Sequence, residues 1–330
     1  MKYVFGPVPS RRLGRSLGID PTPPPSFRGD QAGPGEPKRC AKTCNWNCVY
    51  CQLGPTRPFT LKRSSFFPPQ ELYDELKSAL AADSIRQFDW ITFVGSGEPT
   101  LNKDLGALIR GVKELSDALV AVITNGSLLR EAEVREELLQ ADAVLPTLDA
   151  GTPKLYRAIN RPPSEYYFDG YIRGLEEFSR EYEGKLWIEV MLIKGMNDGE
   201  KELGDLASAL ERIGPSRVHI VLSTRPPAEE RVGPADAEAL SRAKAILGRR
   251  LDVLLPDQGR GGFGGDAADG RLDSLVSIIA RHPLSEDDFR RALAEQKASD
   301  IDSTIASLLR SGRITITDRL GKRFYRGAKE

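Results

Sequence analysis

Four cysteines, Cys40, Cys44, Cys48 and Cys51, fall within twelve residues, and the chain has no others. The last three stand as C-x3-C-x2-C in Cys44-Asn45-Trp46-Asn47-Cys48-Val49-Tyr50-Cys51. A disulfide framework spreads its cysteines to staple distant loops, whereas thiols crowded this closely read as metal or cluster ligands. Three thiolates can hold three irons of a 4Fe-4S cluster and leave the fourth iron open. An open iron can chelate the amino and carboxylate groups of S-adenosylmethionine, and an electron from the cluster can then break its C–S bond. The protein's share of such chemistry is placement and exclusion of water. A structural zinc site with four N/S ligands is the alternative reading of the same thiols. Cys40 is then a bystander, a ligand to a further metal, or a fourth cluster ligand.

A second motif, Gly95-Ser96-Gly97-Glu98-Pro99, follows the apolar run DWITFV of residues 89–94. Taken alone it is a strand-to-helix turn, with Glu98 a solvated or first-turn carboxylate.

These motifs need a frame. Apolar runs of five to eight residues at 89–94, 119–124, 143–148, 186–193, 217–223 and 251–255 alternate with helical spacing at 69–82, 102–116, 130–140, 168–182, 199–213 and 235–248. With a short strand at 16–20, after the basic turn Arg11-Arg12-Leu13-Gly14-Arg15, this gives six or seven strand–helix units. Such alternation predicts an α/β fold, either a parallel sheet or a partial (β/α)6-type parallel barrel, and the barrel is the reading taken here. Residues 95–100, 125–127, 149–151 and 194–198 then share the rim at the C-terminal strand ends, where barrels of this kind do their chemistry.

The pattern divides the chain into a barrel over 1–256, with a Pro/Gly-rich insertion at 21–39, a linker over 257–270 holding six glycines, and a domain over 271–330. The last unit reads as three short amphipathic helices (272–280, 286–295, 301–311) and a two-stranded wing (313–317, 322–325), a winged-helix-like pattern on a flexible tether. It carries 12 Lys/Arg against 9 Asp/Glu, and residues 310–329 hold seven basic side chains beside Phe324 and Tyr325. A basic wing with aromatics can meet phosphates and bases. Asp300 and Asp302, at the start of the helix that would enter a groove, oppose that reading.

The whole chain of 330 residues balances 47 basic against 47 acidic side chains, so no global field draws nucleic acid. A hydrophobic fraction of 40% is enough for a core and excludes wholesale disorder. No apolar run is long enough to span a membrane, and the N-terminus lacks a secretory signal, which predicts a cytoplasmic protein.

The segments PSRRLGRSLGI (9–19), CNWNCVYCQLG (44–54), GSGEPTL (95–101), TNGSLL (124–129), LPTLDAG (145–151), INRP (159–162), EVMLIKGMND (189–198) and RPPAEE (225–230) together resemble the radical S-adenosylmethionine superfamily. The resemblance is to its branch of iron–sulfur oxidoreductases related to the wyosine-type tRNA-base-forming enzymes, and it covers residues 1–256. It implies that Cys44, Cys48 and Cys51 ligate a 4Fe-4S cluster and that Tyr50 lies against the adenine of S-adenosylmethionine. It implies that Gly95, Ser96, Gly97 and Glu98 receive the methionine amino group, with Asn125 and Asp149 as partners for the carboxylate or ribose. It also implies a flavodoxin- or ferredoxin-like electron donor. The tRNA-base-forming enzymes hold a second cluster with three further cysteines; here only Cys40 is left over, so fold and cofactors carry over and the substrate does not.

The resulting expectation is a radical enzyme that abstracts hydrogen from a substrate at the rim, with RNA as one candidate. Arg11, Arg12, Lys194 and Arg225 are candidates to bind an anionic group, against plain surface or loop-anchoring roles; His219 and His282 read as packing or surface residues. Two rivals stand beside it: a radical enzyme acting on a small molecule or peptide with the C-terminal domain for docking, and a non-catalytic iron–sulfur or zinc regulator that binds DNA.

Overall fold

The structure is a computed structural model that describes residues 2–10, 12–23, 42–82, 88–256, 272–295 and 300–327. Arg11, Cys40, most of the Pro/Gly-rich insertion and the 257–270 linker lie outside the described residues.

Eight strands form one sheet in sequence order: β1 (Val4–Ser10), β2 (Gly14–Ile19), β3 (Trp90–Phe93), β4 (Leu119–Thr124), β5 (Ala143–Pro146), β6 (Lys185–Leu192), β7 (Arg217–Leu222) and β8 (Val253–Leu254). β1 pairs antiparallel with β2; every later neighbour is parallel, for instance Ile19 beside Phe93 and Glu189 beside His219. Parallel neighbours require crossovers, supplied by α1 (Pro69–Leu80), α2 (Leu105–Leu115), α3 (Ala132–Leu138), α4 (Pro153–Ile159), α5 (Phe168–Glu181), α6 (Glu200–Ile213) and α7 (Ala237–Leu247). The strand order starts at β1 and ends at β8 without closing, which makes the sheet a partial barrel.

Each layer follows from side-chain spacing. On α2, Leu105, Leu108, Ile109 and Val112 recur at helical period and are buried against the sheet. Along β2, Leu17 and Ile19 join that outer core, while the other sheet face closes the barrel floor with Leu13, Trp90, Leu145 and Trp187. All four residues of β3 are buried, as a strand covered on both faces requires.

Two elements depart from the sequence expectation. β1 reads poorly because Pro7 and Pro9 cannot donate to a ladder, yet it forms as an edge strand whose register shifts between Phe5 and Val8. The seven-residue α4 is too short to show a period; Pro153 in its first turn and the Thr152 hydroxyl, accepting from the Leu155 amide at 3.4 Å, start it.

The remaining residues form a small unit with its own core around Leu275, Ile279, Phe289, Leu293 and Tyr325. Its elements are α8 (Leu272–Arg281), β9 (Leu284–Ser285), α9 (Glu286–Glu295), α10 (Ile301–Arg310), β10 (Ile314–Arg319) and β11 (Lys322–Gly327), with strand order β10-β11-β9. Where the sequence suggested a freely tethered domain, this unit packs on the barrel. Arg281 pairs with Asp20, Arg319 donates to the carbonyls of Glu230 and Val232, and Arg326 donates to the carbonyl of Gln52 at 3.3 Å. Among the described residues no helix is long and apolar enough to cross a membrane.

Candidate active site

The cysteine loop leaves the C-terminal side of the sheet between β2 and α1. Trp46 anchors it, almost fully buried and edge-on to Tyr156 and Tyr171 at 5.3 Å each. Backbone bonds fix the rest: the Val49 amide donates to the Ile159 carbonyl at 3.0 Å and the Thr60 amide to the Cys44 carbonyl at 2.9 Å. Cys44, Cys48 and Cys51 are free, partly exposed thiols, and each faces its own N–H donor. The Lys42 ammonium stands 2.8 Å from Cys51 Sγ, the Asn125 side-chain amide 4.0 Å from Cys44 Sγ and the Asn160 side-chain amide 3.9 Å from Cys48 Sγ.

This donor set fits an iron–sulfur cluster. Burial pushes the Cys44 thiol up to about 11 and Cys48 well above the usual thiol range, so the ionised thiolates need a cation, which a metal centre supplies. Among the described residues no three His, Cys, Asp or Glu side chains stand at the spacing of a single-ion site. A cubane asks for wider spacing, since each thiolate takes its own iron corner. Lys42 is itself buried; desolvation lowers its pKa, and the charges of Cys51 and Cys44 outweigh that and raise it overall. Its second bond, to the Gly54 carbonyl at 2.7 Å, fixes the ammonium beside the loop.

The Gly95–Glu98 loop follows β3. Glu98 is buried and accepts from the Thr100 amide (3.1 Å), the Thr100 hydroxyl (2.7 Å), the Thr124 hydroxyl (2.5 Å) and the Asn125 amide (2.7 Å). Burial raises its pKa and these donors lower it again, with a net rise. So engaged, Glu98 frames the loop. The glycines permit two close approaches: a Cβ on Gly97 would strike the Thr43 carbonyl oxygen, and one on Gly95 the Asp20 carboxylate. Asp20 completes the frame by accepting from the Ser96 amide at 3.0 Å and the Ser96 hydroxyl at 2.7 Å.

At the neighbouring strand ends, Asn125 gives its side-chain amide to the Asn45 side-chain oxygen at 2.7 Å, which ties β4 to the cysteine loop. Asp149 accepts from the Tyr50 hydroxyl (2.7 Å), the Asn160 amide (2.6 Å) and the Met191 amide (2.8 Å). Burial raises the Asp149 carboxyl to about 6, against the pull of those donors. The structure thus brings Cys44, Cys48, Cys51, Tyr50, Gly95, Ser96, Gly97, Glu98, Asn125 and Asp149 to one rim.

The other candidates fall elsewhere. Arg12 precedes β2 and pairs with the buried Glu189 of β6. Lys194 is exposed and pairs with Asp236 at 3.1 Å. Arg225 donates to the Gln52 side-chain oxygen at 3.1 Å, one residue beyond Cys51. His219 packs edge-on to Trp187, and burial, with Arg12 and Arg217, lowers it to about 4. His282 does more than pack, because its Nδ1 meets the Gln52 amide nitrogen at 3.1 Å. Sequence reasoning missed Asp20, Lys42, Asn45, Gln52 and Asn160. Asp20 carried a signal, a carboxylate at a strand end like Asp149, and Asn160 sat in a motif with no evident role.

The basic wing is largely engaged. Besides Arg319 and Arg326, Arg323 pairs with Glu286 at 3.6 Å and Arg313 with Asp273.

Comparisons with known proteins bear on the family and the fold. The family model of the Radical SAM superfamily matches residues 40–207. A UPF0026 protein of Helicobacter pylori is 31% identical over 98% of this chain and 96% of its own length. A protein of Brachyspira hyodysenteriae named GTPase Obg is 42% identical over 74% of this chain, which spans only 33% of that protein. Among solved structures, TYW1 with a lysine-pyruvate adduct bound superposes with a TM-score of 0.51 at 17% identity, over 73% of this chain and 76% of that one, a likeness of fold alone.

Proposed function

The chain belongs to the radical S-adenosylmethionine superfamily, whose cofactors are a 4Fe-4S cluster and S-adenosylmethionine, and from that premise we propose that Cys44, Cys48 and Cys51 hold the cluster for hydrogen abstraction from a small molecule or peptide. When bound and reduced, the cluster supplies the electron that splits S-adenosylmethionine into methionine and a 5′-deoxyadenosyl radical. The observation that carries this reading is the three thiols, each with its own N–H donor, beside the Gly95–Glu98 loop.

The chain's own residues place and shield. Lys42 and the amides of Asn125 and Asn160 offset the negative charge gathered on the thiolates. The backbone carbonyls of residues 95–97, in the shape set by Glu98 and Asp20, accept the methionine ammonium. Tyr50, its hydroxyl committed to Asp149, offers a ring face to the adenine. An electron donor of flavodoxin or ferredoxin type supplies the reducing equivalent.

The docked C-terminal unit favours a small substrate over RNA. It reaches from β2, through Arg281 and Asp20, to the loop after β7, through Arg319, and touches Gln52 between them. It therefore lies across the open side of the barrel, and two of the wing's arginines serve that docking. The helix order of this unit supports the winged-helix-like reading, used here for an intramolecular contact.

Anaerobic reconstitution tests the proposal. The wild-type chain should bind about four irons and release 5′-deoxyadenosine with a strong reductant, and Ser at position 44, 48 or 51 should abolish release. One zinc per chain, or a full cluster that never yields 5′-deoxyadenosine, would overturn it. Deuterium transfer into 5′-deoxyadenosine from labelled metabolite fractions, and not from labelled RNA, is the expected substrate result.

A further inference from the structure

Arg281 ends α8 in the C-terminal unit, yet its guanidinium is buried against the barrel. Nε donates to Asp20 Oδ2 at 2.8 Å, Nη2 to the Lys2 carbonyl at 3.0 Å, and Nη1 to the Ser277 carbonyl at 3.1 Å and hydroxyl at 2.5 Å. Both members of the ion pair are removed from water: Asp20 is 0% exposed and Arg281 5%. The same Asp20 oxygen that takes Arg281 also accepts the amide and hydroxyl of Ser96. The other oxygen is held by the amide and hydroxyl of Thr22 at 3.1 and 2.8 Å. One carboxylate thus joins a side chain of the C-terminal unit to the middle of the Gly95–Glu98 loop, and the Cα of Gly95 lies against it.

We infer that Arg281 is a positioning residue for S-adenosylmethionine, so that docking of the C-terminal unit and binding of the cofactor strengthen one another through Arg281, Asp20 and Ser96. The inference rests on the proposed assignment of residues 95–97 to the methionine ammonium. A buried carboxylate that loses its cation cannot stay as it is; it draws in water or turns, and Ser96 turns with it. The loop's carbonyls then lose their shared orientation. Linkage makes the effect mutual, since a factor gained by the cofactor when the unit docks is the same factor gained by docking when the cofactor binds. A partner that pulls the C-terminal unit away would therefore release the cofactor.

The test uses the full chain, anaerobically reconstituted. S-adenosylmethionine affinity is measured by equilibrium dialysis, and amide hydrogen exchange is followed over residues 272–281 with and without S-adenosylmethionine. Arg281→Met should weaken binding about tenfold, in the range usual for coupled sites. Arg281→Lys, which keeps the charge, should recover part of the loss. Arg313→Ala, which removes only the exposed pair with Asp273, should leave affinity unchanged. In the wild type, S-adenosylmethionine should slow exchange in 272–281, and in Arg281→Met it should not. Wild-type affinity in an Arg281→Met protein whose residues 284–327 exchange normally overturns the inference, as does unaltered exchange in the wild type. Should Arg281→Met unfold its unit, Asp20→Asn decides by exchange, because it leaves every residue of that unit in place: S-adenosylmethionine at a saturating level that no longer slows exchange in 272–281 supports the coupling, and slowing equal to wild type overturns it. A chain that releases 5′-deoxyadenosine but shows no coupling refutes this inference alone. A chain that binds S-adenosylmethionine with coupling and never cleaves it refutes the proposed function alone.

Discussion

The Tyr50 hydroxyl donates to the Asp149 carboxylate at 2.7 Å, joining the cysteine loop to the end of β5. The bond decides what each side chain can still offer a ligand: Tyr50 its ring, Asp149 little beyond its charge. It also closes a short circuit, because Asn160 bonds the same Asp149 oxygen and faces Cys48.

Tyr50→Phe should therefore destabilise the fold by about 1.5–3 kcal/mol, the usual worth of a hydrogen bond to a charged group, with the loss dependent on pH. The bond favours the ionised carboxylate, whose pKa in the fold is about 6. The cost should be full at pH 8, where Asp149 is ionised, and should shrink as pH falls through about 6 and the carboxyl protonates. Denaturant titrations of both proteins at pH 8 and pH 5 check this; an equal loss at both would show that the hydroxyl matters only as packing.

Lys42 places a positive charge 2.8 Å from Cys51 Sγ. A cation there stabilises the more negative, reduced form of a cluster. Lys42→Met should make the cluster harder to reduce and shift its midpoint to more negative potential in an anaerobic redox titration. Lys42→Arg should hold most of the wild-type value. Iron content is expected to stay near wild type in both, since the three thiols remain.

Gly97 and Gly170 predict opposite outcomes for the same change. A Cβ on Gly97 meets the Thr43 carbonyl oxygen, backbone against backbone, and neither can retreat without breaking the Glu98 amide's 2.8 Å bond to that oxygen. Gly97→Ala should cost about 1–3 kcal/mol, the range of overpacking, and should lose S-adenosylmethionine binding. Gly170 lies inside α5 with open space where a Cβ would go. Gly170→Ala should gain about 0.5–1 kcal/mol from helix entropy. Paired thermal melts decide both.

The sequence made the rim legible because its motifs are local. Cys44 to Cys51 and Gly95 to Pro99 are contiguous, and strand–helix alternation places them at strand ends. What joins the motifs was hidden, because those contacts are long-range in sequence: Asn45 with Ser127, Asn125 with Glu98, and Arg281 with Asp20, 261 positions apart. Arg12 misled for a related reason. Its basic turn looked ready for an anion, while its partner Glu189 lies far along the chain in β6. The wing's charge misled likewise, since Arg319 and Arg326 find carbonyl oxygens on the barrel that no periodicity reveals.

His282 makes the docking of the C-terminal unit sensitive to acid. Burial, with the charges of Arg225, Arg281 and Arg12 around it, lowers the imidazole to about 3. It is neutral at pH 7, where its Nδ1 can accept the Gln52 amide. The unfolded chain takes up a proton near pH 6.5 and the folded chain only near pH 3, so the stability this site contributes is complete above about 6.5 and is lost as pH falls below it. At pH 5 the loss should be about 2 kcal/mol relative to pH 7.5. His219, lowered to about 4, adds a slope of the same sign within the barrel, so the comparison must be with His282→Asn, which keeps a polar side chain that does not titrate. The wild type should lose protection from amide exchange in residues 272–281 between pH 7.5 and pH 5, after correction for intrinsic rates, and His282→Asn should lose markedly less. Parallel losses in the two proteins would place the acid sensitivity elsewhere.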